Sequence, residues 1–389
     1  MKKLVLFGAG KIGRSFIGQL FSRSGYEVVF VEKDRILVDA LNRYRSYRVV
    51  ICDTNPETIQ VEKVRGITVD DVDAIAAEIA SADILAVSIG KNGLPHIVPV
   101  LAQGLLLREK LFPGRAIDLI LAENMRNADQ YMRQALAEIL PTSFPLDERV
   151  GLVETSIGKM VPLIENHNTD GENLLTVYAE SYNTLIVNKE AFINPIPQVQ
   201  GLDARIDMKA WVDRKQFIHN FGHAATAYLG YLHHPEKAYL WEALEDTGLV
   251  CKVREAMAES AAVLQTLYPG VFTDEHLTMH ADDLLRRFAN RSLGDTVFRV
   301  GCDLYRKLSP DDRIVTPLNC ARRSGLPYGK IASVLQAALH FKAKDAAGMM
   351  FPDDIRFHEE MERKGAEMML KEVCGLNEMI TSEIINNKN

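Results

Sequence analysis

The stretch RKQFIHNFGH, residues 214 to 223, carries Lys215, Asn220 and His223. On an α-helix turning about 100° per residue, the three fall within an arc of roughly 140°, so one face can hold them all. Reducing a ketone or oxidising a carbinol needs a proton donor or acceptor at the oxygen and a neutral donor that steadies the developing alkoxide. Lys215 suits the first task if partial burial lowers it from the reference value of about 10.4 towards neutrality. Asn220 suits the second, because its amide NH2 donates without adding charge. His223 can bond a substrate hydroxyl or orient the lysine. The bland alternative leaves Lys215 solvated, Asn220 capping a turn and His223 packed in a core, and the rest of the chain has to decide between the two.

The N-terminal segment supplies a partner for that chemistry. KLVLF (3–7) is a short apolar run of the buried parallel-strand kind, and GAGKIGRSFIGQLFSRSG follows it with helical apolar spacing. Gly8, Gly10 and Gly13, with Ala9, Lys11 and Ile12 between them, make G-x-G-x-x-G at a strand-to-helix turn. Gly8 permits the tight turn, Gly10 lets backbone approach a pyrophosphate, and Gly13 lets the helix pack close to the strand. A second strand, YEVVFVE, ends in Glu32, an acid placed to accept the adenine-ribose hydroxyls and to repel a 2'-phosphate. The expected cofactor is therefore NAD, with Lys33 and Arg35 leaving NADP as the alternative. Further along, ILAVSIG (84–90) brings Ser88 to the carboxyl edge of the sheet, where ligands of open α/β sheets sit, and AIDLILAEN brings Glu123 and Asn124 to the same edge. Asn124 would serve as a second amide for the reacting oxygen, although two polar residues closing a strand also suit a helix cap.

These elements set the organisation. YRVVICD and IQVEKVRG, split by DTNPET, look like a hairpin inserted into the fold, and NLLTVYAESYNTLIVNK alternates as one or two antiparallel strands that would extend the sheet. INPIPQVQG marks the best boundary. From about residue 205 the pattern is helical nearly to the polar tail NNKN. The expected fold class is α/β: a Rossmann-type doubly wound sheet domain over 1–197 with an inserted hairpin, then an all-α helical substrate domain over 198–389.

Composition narrows the partner. With 389 residues the chain has room for two cores, and a net charge of -7 argues against a general nucleic-acid binder. No run of about 20 apolar residues suggests a membrane span, and MKKLVLFGAGKIG passes into the glycine motif without a signal-peptide cleavage site. Five cysteines without CxxC spacing suggest neither a disulfide framework nor a zinc site. His219 and His223 are four apart, but Asn220 stands where a zinc-protease helix carries Glu, so no metal is expected. The expectation is a cytoplasmic protein with a small-molecule partner, no nucleic acid and no membrane.

Taken together, FGAGKIGRSFIG, LAENM (121–125), K-x-x-x-x-N-x-x-H (215–223) followed by AATAYLG, RRFANRSLGD (286–295), RVGCDLYRKLSPDDRI (299–314) and GLPY (325–328) resemble the polyol-specific long-chain dehydrogenase/reductase, or mannitol dehydrogenase, family over nearly the whole chain, most of all its mannitol-phosphate branch. The resemblance implies Lys215 as general acid/base, Asn220 and Asn124 on the reacting oxygen and His223 on substrate. The implied reaction interconverts a polyol and a ketose with NAD, with D-mannitol 1-phosphate and D-fructose 6-phosphate the favoured pair. A monomer is implied, with a homodimer as the alternative. Two motifs depart from the family: I-G-K-M-V-P (157–162) replaces V-D-R-I-V-P, and Cys302 replaces an arginine after Arg299-Val-Gly. Lysine does not reproduce an arginine's bidentate fork and cysteine lacks one, so the phosphate contact should be rearranged. Lys159, Arg306 and Lys307 are the expected substrate contacts, within a basic cluster that also holds Arg287, Arg291, Arg299 and Arg313. The bland alternative for that cluster is a solvated face paired with Asp295, Asp303, Asp311 and Asp312. The alternatives are a dehydrogenase of an unphosphorylated hexitol, or of a hexonate such as mannonate or altronate, and a non-catalytic NAD sensor.

Overall fold

A computed structural model describes residues 1–53, 56–162 and 171–386. The tip of the DTNPET loop (54–55) and tail residues 387–389 lie outside them. The chain divides into two compact units, Met1–Val212 and Asp213–Asn389.

Among the described residues of the first unit eleven strands run in chain order: β1 Lys3–Phe7, β2 Glu27–Glu32, β3 Ser46–Ile51, β4 Glu57–Glu62, β5 Val64–Thr68, β6 Ile84–Val87, β7 Ile117–Leu121, β8 Val150–Ser156, β9 Val177–Ala179, β10 Leu185–Asn188 and β11 Leu202–Arg205. Eight form one sheet in the order β11-β10-β8-β7-β6-β1-β2-β5, and β4-β3-β9 form a small second sheet. β5 to β8 are parallel neighbours throughout. The strand order reverses between β1 and β6, which makes the gap above their carboxyl ends the ligand crevice of an open α/β sheet. The near-continuous apolar runs are explained by cover on both faces. Leu4, Leu6, Val28 and Phe30 pack into one core, and the alternating Val5, Phe7, Val29 and Val31 pack into the other.

Three expectations change. Only the first half of IQVEKVRG is an arm of the expected hairpin: β4 pairs antiparallel with β3, and Lys63, at φ 57, then turns the chain so that β5 joins the main sheet beside β2. Of the two strands read in NLLTVYAESYNTLIVNK, only β10 extends the main sheet, antiparallel to β8, while β9 pairs parallel with β3. The units also divide later than the 197/198 boundary, because β11 pairs with β10 beyond the proline-rich segment. In the second unit helices follow one another, and among its described residues the only β pairing is an isolated bridge between Tyr239 and Thr296. No described helix is long and apolar enough to cross a membrane.

Candidate active site

The cofactor-binding half is built around the first strand-to-helix turn. Gly8 sits at φ 97, and a Cβ there would lie 2.3 Å from Ser88 O. A Cβ on Gly13 would lie 2.2 Å from Gly8 O, so helix and strand touch through bare backbone. Gly10 differs: it is exposed, and nothing lies within 4 Å of where its Cβ would be. That open space over a main-chain turn is what a pyrophosphate needs, so these residues fit the expected cofactor. Gly8, Gly10, Glu32, Lys33 and Ser88 line a cleft of about 870 Å³ whose apolar wall includes Val69, Val72 and Ile97.

Glu32 both lines the cleft and ties its loop, whereas Ala9, Lys11, Ile12, Gly13 and Glu123 do not line it. Glu32 Oε2 accepts from Ala9 N at 2.7 Å and Oε1 accepts from Lys33 N at 2.8 Å and Asp34 N at 3.2 Å, so the acid fixes the loop it faces. Glu123 is buried, and its Oε1 accepts from Ile89 N at 2.7 Å and Gly90 N at 3.0 Å. Burial pushes its carboxyl above the usual range while those two donors oppose the shift, which makes it an anchor for the loop after β6. Lys11 donates to Pro162 O at 3.1 Å, and Ile12 packs on the core beneath the turn. Asn124 is exposed just past the end of β7.

Lys159 is a correction. It is buried, and Nζ donates to Glu180 O at 3.1 Å, Tyr182 O at 2.7 Å and Asn183 Oδ1 at 3.1 Å. An ammonium has three donors. All three are spent inside the first unit, so Lys159 is structural and does not stand in for the family's arginine at substrate.

In the second unit the stretch Lys215–Asn220 is π-helical and leads into the α-helix Phe221–His233. This departs from the uniform α-helix assumed above, and it tightens the site. Bonds from i to i+5 turn the chain less per residue than α spacing does, so Lys215 and Asn220 come closer together around the axis than the arc above implies. From Lys215 to Gly230 only Lys215, Gln216, Asn220 and His223 are less than fully buried, which leaves one open polar stripe on an otherwise sunk helix. Asn220 makes no side-chain capping bond, so the turn-cap reading fails.

Lys215 reaches solvent only in part and is surrounded by packed protein. Burial pushes its ammonium down to about 8, and the Arg313 guanidinium adds to the shift. His223 Nε2 lies 2.9 Å from Asp295 Oδ2, its ring stacks on Phe288 at 4.8 Å, and Arg299 pairs with the other Asp295 oxygen. An aspartate would ordinarily raise a histidine. Here burial, followed by Arg299, Arg313, Lys307 and Arg287, holds His223 well below its usual range. Asp295 does not reverse this, because Arg299 already neutralises it. A neutral His223 that donates Nε2–H to Asp295 leaves Nδ1 as an acceptor for a hydroxyl.

The basic cluster splits in two. Arg291 lies over Trp241 at 4.2 Å and pairs with Glu245 at 3.0 Å, and Arg306, half-exposed, pairs with Asp303 and Asp312, as on a solvated face. Arg306 is thus the second correction. Lys307 is buried, donates to Val300 O at 2.7 Å and to Cys302 O, and is pushed down to about 8 by burial and by Arg313. Arg313 is largely buried, and its Nε bonds Asp312 Oδ1 at 2.7 Å. Its field reaches Lys215, His223 and Lys307 alike. Sequence reasoning missed Asp295 as the partner of His223 and ranked Arg313 too low. The Gly-Asp in RSLGD was the available signal for the first.

Two family models match in tandem: the mannitol dehydrogenase Rossmann domain over residues 2–201 and the mannitol dehydrogenase C-terminal domain over residues 207–388. The fold is shared with Pseudomonas fluorescens mannitol 2-dehydrogenase, solved as a ternary complex with NAD and D-mannitol. That match has 17% identity and a TM-score of 0.75, and covers 99% of this chain and 89% of that one. It is also shared with D-sorbitol dehydrogenase in substrate-free form, at 15% identity and a TM-score of 0.80, covering 98% and 91%. The glycine turn with its open cradle and the two matching domains lead to one conclusion: the chain belongs to the mannitol dehydrogenase family, and its first unit is that family's NAD-binding domain.

Proposed function

We propose that this member of a family of NAD-dependent polyol oxidoreductases interconverts D-mannitol 1-phosphate and D-fructose 6-phosphate in the cytoplasm, as a mannitol-1-phosphate 5-dehydrogenase does. The observation that carries the reading is a partly open lysine pushed down to about 8 by burial and by Arg313, on the same π-turn and open stripe as Asn220, whose carboxamide makes no cap bond. NAD supplies the hydride acceptor at its nicotinamide. In polyol oxidation the free amine of Lys215 takes the hydroxyl proton, Asn220 donates to the oxygen as it gains alkoxide character, and neutral His223 accepts from a neighbouring hydroxyl through Nδ1. In ketose reduction the Lys215 ammonium returns the proton. The amide role expected of Asn124 is carried by the resemblance alone.

A phosphorylated substrate is favoured by the four cations Arg287, Arg299, Lys307 and Arg313, which all act on His223 and, although three of them also pair with Asp283, Asp295 and Asp312, give that neighbourhood a positive field for an anionic group to meet. A hexonate carboxylate could use the same cations, and is the second reading. The test is NADH oxidation with fructose 6-phosphate, fructose, tagaturonate and fructuronate side by side, repeated with Arg313→Ala. A guanidinium–anion bond is worth about 1.5–3 kcal/mol, so the variant should raise KM for fructose 6-phosphate about 10- to 100-fold and leave that for fructose nearly unchanged. Fast turnover of a hexuronate instead would replace the phosphate reading with the carboxylate one. NAD binding with no turnover of any of the four would favour the sensor.

A further inference from the structure

The closer placing of Lys215 and Asn220 around the helix depends on a π-turn, and a π-turn has to be held. Where i→i+5 spacing gives way to i→i+4, one carbonyl loses its place in the ladder. Phe221 N–H reaches Gln216 O and Ile218 O, passing over Phe217 O between them. Phe217 is buried, so water cannot satisfy that oxygen. Ser260 does: wholly buried on the helix Thr247–Leu267, it donates its hydroxyl to Phe217 O at 2.7 Å.

The approach that makes this bond possible is also built in. A Cβ on Gly222 would lie 2.7 Å from Met257 Cε and Sδ, so the two helices meet there through a residue without a side chain. Met257 and Ser260 are three apart, on one face of their helix. A second π-turn among the described residues, Gly13–Gly18, also receives a hydroxyl, though one position earlier: the Tyr47 hydroxyl donates to Arg14 O at 2.7 Å, and a Cβ on Gly18 would lie 2.8 Å from that hydroxyl. In both cases a hydroxyl from a distant element meets a carbonyl of the π-turn next to a close-approach glycine.

We propose that Ser260 is a positioning residue for catalysis: by occupying the carbonyl that the π-turn leaves over, it keeps Asn220 on the face that carries Lys215. The inference rests on the functional reading of Lys215 and Asn220 given above. Without the hydroxyl, return to α spacing satisfies Phe217 O within the helix and swings Asn220 away around the axis. Misplacement on that scale costs about 10²-fold in rate.

A double-mutant cycle tests this with NADH and fructose 6-phosphate, or with whichever ketose the substrate panel selects. Ser260→Ala should lower kcat by about 10²-fold with KM for NADH unchanged, yet add little further loss on top of Asn220→Ala, because the two act through one contact. Should the alanine variant yield no folded protein, Ser260→Cys, of similar size and a weaker donor, carries the same cycle. A full-sized additional loss in the Asn220→Ala background, or wild-type kcat in the single variant, would overturn the proposal. If Asn220→Ala itself turns over normally, the functional reading of the helix fails rather than the role of Ser260.

Discussion

Lys215→Ala is expected to cut ketose reduction and polyol oxidation by about 10³-fold, within the range a positioned general acid/base contributes, while NAD affinity stays at the wild-type value. The size follows from where the lysine sits. Burial and Arg313 bring it to about 8, so near neutral pH it is an ammonium able to protonate an alkoxide, and one unit above its own pKa most of it is a free amine able to accept the proton. A solvated lysine near its reference of about 10.4 would be a far weaker base at the same pH. The cleft that takes the cofactor belongs to the first unit and contains no residue of the Lys215 helix, which is why binding should be spared. Steady-state NADH oxidation and fluorescence titration of NADH separate the two effects. Partial recovery of turnover by added methylamine would show that the missing group is an amine. Loss of NADH affinity equal to the loss of rate would mean that Lys215 acts in binding instead.

Gly10→Ala is expected to weaken NAD at least about tenfold and leave the thermal midpoint within a few degrees, whereas Gly8→Ala should remove folded protein or lower its stability by about 3 kcal/mol or more. The two glycines are two residues apart but differ in what a methyl would meet. At Gly10 it would meet nothing in the protein, so its only cost is to the ligand that needs the space. At Gly8 it would press on Ser88 O and force an L-residue to φ 97, so the backbone itself must move. Calorimetric titration with NAD and a thermal melt on each variant read both quantities. Wild-type NAD affinity in Gly10→Ala would show that the pyrophosphate does not lie over this turn.

The two glycine substitutions also mark what was legible in the sequence. Period, glycine spacing and an acid at the end of β2 depend on local geometry, so the first half of the doubly wound sheet could be read directly from residues 3 to 32. The cradle at Gly10 was legible for the same reason. The π-turn was not: RKQFIHNFGH has good α-helical apolar spacing, and what bends its ladder is Ser260 on another helix. Lys159 and Arg306 misled because a cation in a family motif reads as a ligand contact, while its actual partners, main-chain and side-chain oxygens between Glu180 and Asn183 in one case and Asp303 with Asp312 in the other, become visible only in the fold. Arg313 was undervalued for the converse reason. Nothing local distinguishes it from Arg306, and only burial beside Lys215 does.

The most direct measurement is the pH dependence of kcat/KM for reduction of fructose 6-phosphate by NADH. Reduction uses the protonated lysine, so the rate should hold steady below and fall tenfold per unit above an apparent pKa of about 8, with polyol oxidation rising through the same value. A reduction profile that stays flat to pH about 10, where an ordinary solvated lysine titrates, would contradict the assignment of Lys215 as the acid/base.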